Sequence, residues 1–206
     1  MEIINSLKKR AEDLIAQGYN TDAGKYISKG YSIFEKDMGK FIGYTALYFL
    51  ITTASGFVPF GPIFITGPLT AGFFIVARKI NKNEPYDFGA FWRGFDFFVP
   101  LMLYTLISTI LGILAFIALI IPGIYLYVGW IFSVPFIIFG KMEFWDAMEY
   151  SRRLITKKWW NIFGFLLLLM LINFAGALVF FVGLLFTVPI TFCALYAAFE
   201  DIVGTE

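Results

Sequence analysis

The chain has 206 residues, 59% apolar and only 15% charged, with a formal net charge of +1, no histidine, one cysteine and 26 phenylalanines. A soluble domain is typically about half apolar and about a quarter charged, so this composition excludes an ordinary water-soluble fold. The balanced charge gives no reason to expect nucleic acid, the lone Cys193 excludes an internal disulfide, and the missing histidine removes the usual ligand set for zinc.

Residues 1–24 read as an N-terminal cytoplasmic amphipathic segment. Ile3, Ile4, Leu7, Leu14 and Ile15 recur at helical spacing, and a polar break follows from Gln17 to Gly24. Lys8, Lys9, Arg10, Glu12 and Asp13 interrupt it, so the apolar core of a cleavable signal peptide is lacking. Residues 25–206 then form a single membrane domain.

Three stretches in that domain hold no Asp, Glu, Lys or Arg: Phe41 to Ala77, Phe97 to Gly140 and Trp159 to Phe199. A bilayer crossing takes about 20 apolar residues, so each stretch suits a helical hairpin. Turn signals stand near their middles: Val58-Pro59-Phe60-Gly61-Pro62, then Ile121-Pro122-Gly123, then Val182-Gly183. The expected fold is all-α and polytopic, with six transmembrane helices in hairpins at about 40–79, 98–140 and 159–201. All 16 Lys and Arg lie before or between the three uncharged stretches. The positive-inside rule makes that side cytoplasmic, with both termini there and three uncharged turns opposite.

The segments between hairpins carry amphipathic patterns of their own. Ile27, Tyr31, Phe34 and Met38 form one stripe, Phe88, Phe91, Trp92 and Phe95 a second, and Phe144, Ala147, Met148, Ser151, Leu154 and Ile155 a third. They are expected either to lie in the headgroup region or to fold under the bundle as a cytoplasmic cap. Glu149 and Arg153, at i to i+4 spacing, suit an ordinary helix-surface ion pair contributing about 0.3–0.5 kcal/mol. Each unit thus consists of a surface helix, an outward helix, a turn and an inward helix, and all three units run in the same direction. The inward helices carry Pro68, Pro135 and Pro189, which are candidates for helix kinks.

The run Ile121-Pro122-Gly123-Ile124-Tyr125-Leu126, then Pro135, then Ala147, Ser151 and Leu154, then Trp159-Trp160, resembles bacterial glycerophosphoryl diester phosphodiesterase membrane domains. It is also similar to related stand-alone, uncharacterised integral membrane proteins. The resemblance covers roughly residues 86–200, and the first unit only by layout. In the fused proteins hydrolysis belongs to a separate soluble domain. The resemblance therefore implies a bacterial membrane module without the enzyme.

The residues themselves point the same way. Catalysis inside the membrane needs a nucleophile with a base, or metal ligands, and the three stretches hold neither histidine nor a carboxylate. Their Ser and Thr residues are expected to bond to backbone carbonyls or across helix contacts. No catalytic residue, metal site or cofactor is expected. Arg152, Arg153, Lys157 and Lys158, beside the interfacial Trp159 and Trp160, are the candidate contacts for anionic lipid headgroups. The expected function is a non-catalytic scaffold or accessory module of the bacterial cytoplasmic membrane, with lipids and a membrane protein or second copy as partners. The alternative is a small channel or carrier for an uncharged or lipid-like substrate. A packed core would favour the first, and a continuous polar cavity the second.

Overall fold

Uncharged apolar runs of this length can satisfy their backbone groups in lipid only as helices, and helices account for all the regular structure among the described residues. A computed structural model of the chain describes residues 2–205; within these, the side chains of residues 2–5 and of Ala118 are not described, so Ile3 and Ile4 of the first stripe lie outside the description. The helices are α1 (Glu2–Gln17), α2 (Ala23–Glu35), α3 (Met38–Ser55), α4 (Gly61–Asn81), α5 (Phe98–Ala118), α6 (Ile120–Gly129), α7 (Ser133–Gly140), α8 (Phe144–Thr156), α9 (Trp159–Leu178) and α10 (Leu184–Ile202). A 3-10 segment, Phe88–Phe97, precedes α5.

Five helical stretches are long and apolar enough to cross a membrane: Gly61–Asn81, Phe88–Ile117, Ile120–Gly140, Trp159–Leu178 and Leu184–Ile202. The expected sixth, α3, is not among them. It is 18 residues long but is diluted by Lys40, Tyr44, Thr45, Tyr48, Thr52 and Thr53.

Helices α4, α6, α7 and α10 make the core. About half of each of these stretches is buried, 56% for α4, 56% for α6–α7 and 50% for α10, against 11% for the stretch containing α5 and 22% for α9. Large aromatics fill the space between them. Phe132 and Phe136 meet Phe199 edge-on at 5.4 and 5.1 Å, Phe73 stacks on Phe192 at 4.6 Å, and Tyr44 stacks on Phe91 at 4.2 Å.

The segments before and between the apolar stretches bury faces of their own against protein. The 3-10 segment packs on α4, α8 on α6 and α7, and α2 on α10, which joins the start of the chain to its end. Two of the three stripes are out of phase with expectation. On α2 the buried residues are Tyr26, Gly30, Ile33 and Phe34, while Tyr31 is exposed. On the 3-10 segment they are Ala90, Phe91 and Gly94, and Phe95 is exposed. Both faces centre on a glycine, because backbone meets backbone there. A Cβ on Gly30 would fall 2.4 Å from the Ala194 nitrogen, and one on Gly94 would fall 2.0 Å from the Pro68 carbonyl oxygen. The third stripe, on α8, is buried as expected at Ala147, Met148, Ser151, Leu154 and Ile155.

The prolines differ among themselves. Pro68 and Pro189 sit inside unbroken helices, whereas the expected single helix over 123–140 is two, interrupted between Gly129 and Ser133. Pro135 offers no N–H to the Ile131 carbonyl, which weakens the ladder at this point. Ser151 completes the break: its hydroxyl accepts from the Phe132 N–H at 3.1 Å and donates to the Gly129 carbonyl at 2.6 Å.

Hydroxyls in the apolar stretches bond backward along their own helices. Thr45, Thr52, Thr105, Thr109 and Thr191 each donate to the carbonyl four residues earlier, at 2.6–2.9 Å.

Candidate lipid-contact site

Six residues from the lipid-site neighbourhood converge on one open apolar groove of about 520 Å³: Ile121, Ile124 and Tyr125 from α6, and Trp159, Trp160 and Phe163 from α9. Local sequence explains the walls. Trp159 and Phe163 stand one turn apart on α9, and their rings stack at 4.9 Å with a 12° tilt. Tyr125 also lies near-parallel to Trp159 at 6.3 Å, and the Trp159 indole N–H points to the Tyr125 carbonyl at 3.5 Å. Trp160 turns outward and stays 76% exposed. An aromatic slab open on one side suits an acyl chain or a sterol-like face better than a polar solute.

The polar edge of the groove is a chain of hydrogen bonds. The Tyr125 and Thr156 hydroxyls share one at 2.7 Å, and the Arg152 guanidinium donates to the Tyr125 hydroxyl at 3.3 Å. Arg152 also clasps Glu149 with two bonds, at 2.9 and 2.7 Å. The expected Glu149–Arg153 pair is therefore replaced by Glu149–Arg152, since Arg152 points back toward α6, where Tyr125 is a second acceptor. The hydrogen bonds from Arg152 hold the Glu149 carboxyl below its ordinary range, and the Glu149 and Tyr125 bonds push the guanidinium further toward its charged form.

Of the six headgroup candidates, Trp159 and Trp160 line the groove, Arg152 is engaged at its edge, and Lys158 follows α8 at the start of α9. Arg153 and Lys157 are exposed. Tyr125 and Thr156 were not among the expected site residues. The visible signal was slight: a tyrosine one turn past a Pro-Gly, and a threonine at the end of an amphipathic helix. Asn173 was also passed over; its amide donates to the Thr191 hydroxyl at 2.6 Å and ties α9 to α10.

The groove also corrects the level of the second turn. Ile121 is one helical turn, about 6 Å, from Tyr125. The turn at 119–123 thus lies beside the first residues of α9, whereas an upright hairpin would hold the two about 30 Å apart.

The N-terminal helix covers the other flank of α8. Lys8 pairs with Asp146, Glu12 accepts from the Tyr150 hydroxyl at 2.7 Å, and the Tyr19 hydroxyl donates to the Leu154 carbonyl at 3.1 Å. Burial, followed by the Glu12 bond, raises the Tyr150 hydroxyl to about 12. The chain matches no family model, no curated protein and no solved structure.

Proposed function

We propose that this is a non-catalytic membrane scaffold or accessory module that holds anionic phospholipid at the α6–α9 groove. The observation that carries the reading is the aromatic groove of Ile121, Ile124, Tyr125, Trp159, Trp160 and Phe163, with Arg152 hydrogen-bonded to Tyr125 at its edge and Lys157 and Lys158 directly before Trp159 in the chain. Acyl chains match the walls, and a phosphate-bearing headgroup matches the cations. The charge asymmetry favours a cytoplasmic location for both termini, and the family resemblance implies a bacterial cytoplasmic membrane. The three units are read as hairpins in parallel order, α3–α4, α5–α7 and α9–α10.

The packing supports a scaffold over a carrier. Phe34, Phe41, Phe73, Phe91, Phe132, Phe136 and Phe199 are fully or almost fully buried, so the core is filled by rings. The resemblance to phosphodiesterase membrane domains agrees, as it implies the membrane part without the hydrolase. Other contacts, with a membrane protein or a second copy, would use the exposed outward helices.

Native mass spectrometry of the protein extracted from its membrane tests the reading. The Lys157→Gln/Lys158→Gln chain should retain less phosphatidylglycerol than the unsubstituted one. At about 1 kcal/mol per cation the affinity falls roughly thirtyfold. Equal retention, or no retained anionic lipid in either chain, refutes it.

A further inference from the structure

The tips of all three hairpins are built for hydrocarbon rather than for water. Residues 56–65, 110–124 and 174–186 contain no polar side chain. Phe57 is 88% exposed, Ile121 80% and Phe180 92%. Phe60, Phe180 and Phe181 hold left-handed backbone with φ of 61°, 49° and 60°, positions that water-facing turns give to Gly or Asn. The tip backbones are largely closed on themselves. Phe57, Val58 and Gly61 donate within the first turn, Leu119 donates to Ala115, and Phe181 and Gly183 donate to Ala177 and Val179. Self-satisfied backbone is what lipid demands.

Aromatic anchors mark only one interface. No Trp or Tyr lies between Tyr48 and Tyr86, between Tyr104 and Tyr125, or between Trp160 and Tyr196. A protein that crosses a bilayer usually has Trp and Tyr at both faces.

The surface helices set the depth, because their charges climb along the inward helices. Gly94, flanked by the exposed Arg93 and Asp96, abuts Pro68, which leaves about 10 Å of α4 beyond it. Ser151, beside Arg152, binds Gly129, which leaves about 14 Å of α6. Gly30, beside the exposed Lys29, abuts Ala194, which leaves about 15 Å of α10. The hydrocarbon layer is about 30 Å thick, so each tip reaches about one leaflet.

We infer that the three hairpins enter and leave through the same face and end among the acyl chains of a single leaflet, so that the chain is a wedge rather than a crossing protein. The partner of the tips is the acyl interior of that leaflet. Helices of 18–21 residues, about 27–32 Å long, fit this depth when tilted by about 60°, steeper than the usual range of crossing helices, and the second hairpin, with its turn beside Trp159, is the clearest case. The inference stands apart from the groove, since the tips would be embedded whether or not phospholipid occupies it.

Single cysteines at Phe57, Ile121 and Phe181, in a Cys193→Ala chain reconstituted in sealed vesicles, test the depth, with Lys36→Cys marking the charged face. A membrane-impermeant maleimide should label Lys36→Cys from one side and the three tip cysteines from neither until detergent is added. Labelling of any tip from the face opposite Lys36 overturns the inference. The unsubstituted chain gives a second reading, free of mutational damage. In lipid nanodiscs the amides of 117–122 and 178–183 should exchange with deuterium far more slowly than in detergent-free peptide, and fast exchange at either tip also overturns it.

Discussion

Gly30 of α2 lies against the backbone of Ala194 on α10, so close that a Cβ would stand 2.5 Å from the Ala194 Cα. This contact joins the start of the chain to its end. A side chain there cannot be relieved by a rotamer change, because the opposing atoms are main chain.

Gly30→Ala and Gly94→Ala should therefore each destabilise the protein by about 1–3 kcal/mol, the usual cost of overpacking. Gly39→Ala and Gly164→Ala meet nothing within 4 Å and should be neutral or raise stability by up to about 1 kcal/mol through helix propensity. Thermal melts of the four variants in one detergent separate the two classes. Equal shifts in all four would remove the close-contact explanation.

Ser151 closes the break between α6 and α7 with two hydrogen bonds. Ser151→Ala keeps the volume nearly unchanged but leaves the Phe132 N–H and the Gly129 carbonyl unpaired in a buried setting. The expected loss is about 1–3 kcal/mol. Ser133→Ala, at a buried hydroxyl to which the helix break owes no bond, serves as comparison. Hydrogen exchange at Phe132 should accelerate in Ser151→Ala alone.

The Glu149–Arg152 clasp should make stability depend on pH. Hydrogen bonds from Arg152 lower the Glu149 carboxyl from its ordinary value of 4.5, so the unfolded chain takes up this proton first as pH falls. The contribution is full above the ordinary value and disappears as pH drops through the lowered one. Glu149→Gln should melt at a lower temperature than the unsubstituted chain at pH 7, with the gap narrowing below pH 4.5. A gap independent of pH would assign the effect to packing.

Much of the plan is written in the distribution of charge. The apolar stretches announce their helices, and Thr45, Thr52, Thr105, Thr109 and Thr191 within them bond to their own backbone, as their type predicts. The α8 face is legible because Ala147, Met148, Ser151, Leu154 and Ile155 keep helical spacing. The faces of α2 and the 3-10 segment are not, since hydrophobic periodicity gives no weight to glycine, and Gly30 and Gly94 are the centres of contact. The partner of Glu149 was misread for a related reason. Spacing along one helix ranks Arg153 first, but Tyr125 on α6 supplies the second acceptor that draws Arg152 inward.

Sequence by itself determined the helical class, the apolar character and the three uncharged stretches, because these follow from local composition and from the backbone's need for internal hydrogen bonds in lipid. Only the tertiary structure decided which helices α2, the 3-10 segment and α8 pack on, where the chain breaks between Gly129 and Ser133, and that Trp159 meets Tyr125. Those are matches between residues far apart in the chain, and they depend on the close approach of glycine, on a hydroxyl bridging two backbones and on stacked rings, none of which has a period along the sequence.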